Sequence, residues 1–364
     1  MLEKGDAWAL SKKLSRRRGP ARTDFKPRGA RCRVPSSDRA FTHDVLPRAR
    51  RARASPPAIE PTDARALRAA GGTLLDSGDG VVVGGWRVSS RATPILGKAQ
   101  LDALESRLGS AHLPEMVYGS ALELTHEATG VRLHFNAEDA LREWLEEDLP
   151  PLKVAAAAAW ARGHAERFGS AAMPPPAPRA PSSSSSSSAA AAATTTPTAS
   201  WDHTETQTAY DWTFTTPYRG SVDAPSSSVD WSETSSRIDR GLLTARDPIL
   251  FFDELTLYES ELDDNGESSV TVKVRVMPKC WFVLLRFWMR CDGVAIRLRE
   301  TRLFHAIGSG EVVRETSRRE ETFEGLRARG APSEPGQYPD ANEAASVLLA
   351  AGGPVDVAYH SLKL

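Results

Sequence analysis

Residues 247–305 alternate β-patterned runs with turn signals, and no other stretch constrains the fold as strongly. Asp263-Asp264-Asn265-Gly266, Pro278-Lys279 and Asp292-Gly293 separate four such runs. Asn-Gly and Asp-Gly suit tight turns because the central residues there adopt positive φ, which glycine tolerates. The pattern predicts a four-stranded antiparallel meander.

Side-chain alternation orients the strands. In the second run Val270, Val272, Val274 and Val276 share one face, with Thr271, Lys273 and Arg275 on the other. In the third, Trp281, Val283, Leu285, Phe287, Met289 and Cys291 form an apolar face, while Phe282, Leu284, Arg286, Trp288 and Arg290 form a mixed one. This strand is expected to be central. If Asp292-Gly293 closes a two-residue loop, Cys291 pairs with Val294, and Leu285 and Val283 face Glu300 and Arg302 across the turn. Glu300 and Arg302 then interrupt an apolar face, as at the rim of a binding cleft, because a buried charge must be paired or used by a ligand. The same pairing sets Arg286 opposite Arg299 and Trp288 opposite Arg297. Such a basic, aromatic stripe needs carboxylates, supplied by Asp253, Glu254, Glu259 or Glu261 of the first strand or by another molecule.

Charge is unevenly distributed along the 364 residues. Residues 1–70 hold 18 Lys and Arg against 7 Asp and Glu, a net of +11, so that the remainder carries −12 within an overall −1. With basic runs at Arg16-Arg17-Arg18 and residues 48–53, this segment is expected to be a disordered extension. An organelle transit peptide, a nuclear-import patch and an unselective solvated tail are its alternative readings. Glu3 and Asp6 weigh against the transit peptide. Residues 174–200, with seven consecutive serines and then alanine and threonine runs, are expected to be a low-complexity insertion. Residues 80–350 then form a single domain interrupted by that insertion.

Cys32, Cys280 and Cys291 lack metal-binding spacing, which points to a reduced, intracellular protein. No apolar run approaches the roughly 20 residues of a membrane span, and the start of the chain lacks the apolar core of a secretory signal.

The remaining expectations follow chain order. Residues 81–86 read as one strand, and residues 98–108 as a helix with Leu101, Leu104 and Leu108 on one stripe, stopped by Gly109. Residues 121–126 and 131–135 read as strands. Asn136 and Asp139 form a cap for a helix over residues 137–147. Residues 152–168 read as an alanine-rich helix, and Tyr210, Trp212 and Phe214 as the buried side of a strand. Residues 311–315 add a strand and 342–350 a short helix. The expected fold class is α+β: an antiparallel meander core with flanking helices, a disordered N-terminal extension and a low-complexity insertion.

Catalytic motifs are missing. Gly97-Lys98-Ala99 lacks the rest of a phosphate loop, His126-Glu127 has no second histidine four residues after the first, and Gly308-Ser309-Gly310 is not a nucleophile elbow. No catalytic, cofactor-binding or metal-binding residue is assigned, and the chain does not read as an enzyme.

Several motifs occurring in order carry a resemblance. Leu113-Pro114-Glu115-Met116 with Tyr118-Gly119, Phe135-Asn136-Ala137-Glu138-Asp139-Ala140-Leu141, Tyr210-Asp211-Trp212-Thr213-Phe214-Thr215-Thr216 and the meander text Val274-Arg275-Val276-Met277-Pro278 together resemble the TIP-forty-one-like (TIPRL) family. The resemblance implies a cytosolic, non-enzymatic regulator that binds and restrains the catalytic subunits of type 2A serine/threonine protein phosphatases. It further implies a cleft for the catalytic subunit's C-terminal tail, and a link in fungi to TOR signalling through an alpha-four-type phosphatase subunit. By motif, the family's interaction surface falls on Asp139, Ile238, Leu298 and Glu300, to which the register argument adds Arg302, Arg286 and Arg297. Each also admits a structural reading: Asp139 as helix cap, Ile238 and Leu298 as core, Glu300 and Arg302 as a cross-strand ion pair. A reading from another class, single-stranded nucleic-acid binding by the Arg and Trp stripe, is disfavoured by the net −12 of the folded part.

Overall fold

The computed structural model describes residues 61–147, 149, 150, 152, 154–157, 203–206, 210–225 and 229–364. From Pro61 onward they form one compact unit. The low-complexity insertion and residues 1–60 lie outside the described residues.

Two antiparallel sheets carry the fold. The smaller, in the order β1-β2-β3-β5-β6-β9, comprises β1 (Thr73–Leu74), β2 (Gly80–Val83), β3 (Trp86–Arg91), β5 (Ala121–His126), β6 (Arg132–Asn136) and β9 (Ser221–Asp223). The larger runs β10-β16-β15-β14-β13-β12-β11-β4. Its strands are β4 (Met116–Val117), β10 (Ser232–Glu233), β11 (Phe251–Ser260), β12 (Gly266–Val276), β13 (Cys280–Cys291), β14 (Ala295–Ala306), β15 (Glu311–Thr322) and β16 (Asp356–Lys363). Alternate residues of both sheets meet in one core: Val81, Trp86, Leu124 and Phe135 from one, Val272, Trp281, Leu285 and Met289 from the other. The valine face of β12 and the apolar face of β13 thus point where their alternation predicts.

Among the described residues six helices flank the sheets: α1 (Pro61–Ala69), α2 (Lys98–Leu108), α3 (Ala137–Glu146), α4 (Arg240–Thr244), α5 (Phe323–Ala328) and α6 (Ala341–Ala350). The α2 boundaries match the sequence reading, with Gly109 closing the helix at φ +68°. At the start of α3 the Asn136 side chain accepts from the Asp139 backbone N–H. The unstructured extension expected over residues 1–70 does not reach residue 70. Leu67 of α1 is buried and Ala66 and Ala70 pack against the core, a contact too short to show as periodicity.

Four further expectations are corrected. Residues 81–86 are two strands, because Gly84 and Gly85 (φ +57° and +77°) supply the two positive φ values of a two-residue hairpin loop and bring Val83 opposite Trp86. The Tyr210-Trp212-Phe214 segment is not a strand. The Asp211 carboxylate accepts the backbone N–H groups of Thr213 and Thr215, competing with any ladder, and Phe214 has φ +55°. Val154–Ala157, assigned to an alanine-rich helix, pair instead with His203–Thr206 as β7 and β8; the rest of that helix lies outside the described residues. Finally, the expected strand at residues 311–315 runs on to Thr322, and β16 pairs along it.

The register between β13 and β14 is displaced by one residue from the expectation. Cys291 pairs with Ala295, not Val294, and Arg286 faces Glu300, not Arg299. The type I′ loop that Asp-Gly favours requires positive φ at both central positions. Only Gly293 meets this, at +73°, so Val294 joins the loop and donates its N–H to Cys291 at 3.0 Å. One residue of slip transfers every β14 side chain to the other face.

Candidate functional site

Because of that register, Glu300 and Arg302 lie on the outer face of the larger sheet, away from the core between the sheets. Two adjacent rungs cross the strands there. One runs Glu254, Lys273, Leu284, Arg302, Glu315; the other runs Thr256, Thr271, Arg286, Glu300, Ser317. Apolar clusters bound this charged band on both sides. Ile238, Met277, Phe282, Phe304 and Val313 pack with Leu242 and Leu243 of α4 on one side. Trp288, Ile296 and Leu298 pack with Phe323 and Leu326 of α5 and Leu348 of α6 on the other.

Within the band the charges form a chain. Glu300, 5% exposed, accepts through Oε1 from Arg286 Nε (2.7 Å) and Nη2 (2.5 Å), and through Oε2 from Arg302 Nη2 (2.5 Å). Arg286 Nη1 also donates to Asn342 Oδ1 of α6 at 2.8 Å. Arg302 Nη1 donates to Glu315 Oε1 at 2.7 Å, and the exposed Arg240 of α4 lies 3.8 Å from the other Glu315 oxygen. Beside it Lys273 pairs with Glu254 at 3.0 Å. Burial alone would raise the Glu300 carboxyl, but the two guanidiniums overcome it and hold the group below the usual carboxylate range.

The structure brings Arg286, Leu298, Glu300, Arg302 and Ile238 to this one face, and it separates Arg297 and Asp139 from them. Arg297 points to the opposite face, where it donates to Glu320 (2.7 Å) and Thr215 (3.0 Å) and lies 3.8 Å from Asp211, fastening the irregular 211–216 segment to β14. The proposed stripe of Arg286 with Arg297 therefore does not exist. Trp288, also assigned to it, is buried among the residues of α5 and α6. Asp139 is bonded to Asn136 and Ser221 (2.8 and 2.7 Å) and lies 3.3 Å from His134, none of which belongs to the band. Glu300 and Arg302 pair along one strand, two residues apart, not across strands. The carboxylate opposite Arg286 comes from β14 itself; of the first-strand candidates, Glu254 answers Lys273.

Sequence reasoning missed Glu315, Asn342 and Arg240. Strand alternation puts Glu315 on the same face as Val313 and opposite Val312 and Arg314, but nothing local says which of those faces is the outer one. Nothing in the sequence ties Asn342 or Arg240 to the band, since both arrive on helices from remote positions.

The band contains neither histidine nor cysteine, and its carboxylates are held by cations. Among the described residues no cluster of three or more His, Cys, Asp or Glu could hold a metal, and no helix is long and apolar enough to cross a membrane. The fold and the band define an α+β protein of two packed antiparallel sheets, with a charged outer face clasped between helices. Residues 116–327 match the TIP41-like family model, and the chain belongs to that family. It is 38% identical over 289 residues to the TIP41-like protein of Arabidopsis thaliana, covering 74% of this chain and 87% of that protein. To the human TIP41-like protein it is 34% identical over 243 residues, 67% of this chain and 77% of the other. A Saccharomyces cerevisiae relative, 30% identical over 265 residues (70% and 66% of the two chains), is named type 2A phosphatase activator TIP41.

Proposed function

We propose that this protein is a non-enzymatic regulator of type 2A serine/threonine protein phosphatases that acts by binding the catalytic subunit. The observation that carries the reading is the alignment with the yeast relative, whose name states a role on type 2A phosphatases, over 70% of this chain. In this proposal the outer face of the larger sheet between α4 and α6, which carries the charged band, receives the catalytic subunit's C-terminal tail. The band supports this role because its charges are prepaired and rigid while Arg240 (69% exposed) and Glu254 (34% exposed) stand at its margins. An alpha-four-type subunit and TOR-linked signalling in the cytoplasm belong to the same proposal.

The family resemblance implies restraint of the phosphatase, whereas the yeast relative is named an activator. The sign of the change in dephosphorylation rate on adding the purified protein decides between them. Binding is tested by titrating a type 2A catalytic subunit with the wild-type protein, Arg240→Glu and Arg240→Ala. Rim substitutions at a docking face are expected to weaken binding by about 1 kcal/mol or more, roughly fivefold, without lowering the melting temperature. Equal affinity for all three would remove the band from the interface; no binding by the wild type would overturn the proposal. The nucleic-acid reading loses its basis, since Arg286 is consumed by Glu300 and Trp288 is covered.

A further inference from the structure

A second cluster, on the core-facing side of β15, has the opposite electrostatic character. Arg314 is 7% exposed, yet among the described residues no carboxylate lies within ion-pair distance of it. Of the other buried arginines, Arg286 ends on Glu300 and Arg297 on Glu320, while Arg275 donates to the Leu243 carbonyl. The Arg314 guanidinium instead lies over the ring of Trp231, 4.1 Å from its centroid, and its cross-strand neighbour on β16 is His360. On these three contiguous side chains, three buried nitrogens have no hydrogen-bond partner among the described residues: Arg314 Nε, Trp231 Nε1 and His360 Nδ1.

A second guanidinium is close. Burial and the nearby Arg219 push the Arg314 guanidinium down to about 10, and burial, Arg314 and Arg219 lower His360 with Glu233 opposing. Glu143 of α3 and Asp230 act on Arg314 only at longer range. A buried donor left without an acceptor typically costs about 1–3 kcal/mol, and two obligate donors, Arg314 Nε and Trp231 Nε1, beside a second guanidinium call for an anion with several acceptor oxygens. Guanidinium and indole N–H groups are donors only, so the group they take must be purely accepting on that side.

We propose that Arg314, Trp231, His360 and Arg219 form a binding site for a phosphoryl group, carried either by free phosphate or by a phosphorylated serine or threonine side chain. The phosphoryl dianion answers two fixed guanidinium charges and offers more acceptor oxygens than a carboxylate. The site is on the opposite face of the sheet from the charged band and does not depend on the phosphatase reading.

The test is titration of the full chain with inorganic phosphate at constant ionic strength, followed by melting temperature and by the indole N–H resonance that disappears in Trp231→Phe. A saturable rise in melting temperature with displacement of that resonance is expected. Trp231→Phe and Arg219→Gln, which keep the ring and the half-buried stem, are each expected to weaken the effect about tenfold. A parallel titration with a phosphoserine peptide separates the sources: binding more than tenfold tighter than phosphate assigns a phosphorylated chain, and equal or weaker binding assigns the free ion. No saturable response to either, or unchanged affinity in both variants, overturns the site.

Discussion

Arg286 and Glu300 stand directly opposite one another on β13 and β14, and two of the arginine's nitrogens donate to a single carboxylate oxygen at 2.7 and 2.5 Å. Asn342 and Arg302 complete the coordination of the pair. A buried pair of this kind is costly to break, since removing one member leaves the other charged and desolvated.

Glu300→Gln is therefore expected to lower stability by about 3–5 kcal/mol, and Glu300→Lys by more, because it puts a third cation beside Arg286 and Arg302. Glu300→Lys is consequently not a clean probe of the surface, contrary to the expectation from a rim position. Replacing the pair together, Arg286→Met with Glu300→Leu, should cost less than the two single changes summed. Urea denaturation of the four proteins checks this; additive losses would show that the two charges are not coupled.

Phe287, 3% exposed, lies in the core between the sheets. Phe287→Ala should destabilise by about 3–5 kcal/mol through the cavity it leaves. A loss below about 1 kcal/mol by chemical denaturation would mean that the core collapses around it.

His305 packs on Trp86 and Trp281 where the two sheets meet, and its ring Nδ1–H donates to the Glu311 carbonyl at 2.8 Å. Burial lowers its proton affinity and His126 adds to this, with the Glu311 bond opposing. The unfolded chain thus takes up a proton near the ordinary value of 6.5 before the folded chain does. Stability is unaffected by this group above that pH and declines as pH falls below it, until the folded-state value is passed. Melting temperatures from pH 7.5 to 5 should fall in the wild type and fall less steeply in His305→Gln.

Val154–Ala157 and His203–Thr206 pair on either side of the low-complexity insertion. Deleting residues 174–200 should change stability by less than about 1 kcal/mol, because closure entropy varies only logarithmically with loop length. A larger drop in thermal melts would show that the segment packs.

What the sequence by itself determined were features whose signal is local. The α2 helix is bounded by its leucine stripe and Gly109, α3 is started by Asn136, and the faces of β12 and β13 follow from strict alternation. The charges of the band were also legible as strand residues too polar for a core. Tertiary structure decided which of them meet. The β13–β14 register turned on a single backbone angle at Asp292, which composition cannot specify when Asp-Gly serves both two- and three-residue loops. Tyr210, Trp212 and Phe214 alternate like a strand, but the Asp211 side chain captured the backbone donors a strand would have used. The second half of β15 is too polar for periodicity to reveal; it forms a strand because β14 pairs with it as far as Thr322 and β16 as far as Arg318. Arg240 and Asn342 reach the charged band only through helices folded over the sheet from distant parts of the chain, and pairing across such distances is a property of packing that no local pattern encodes.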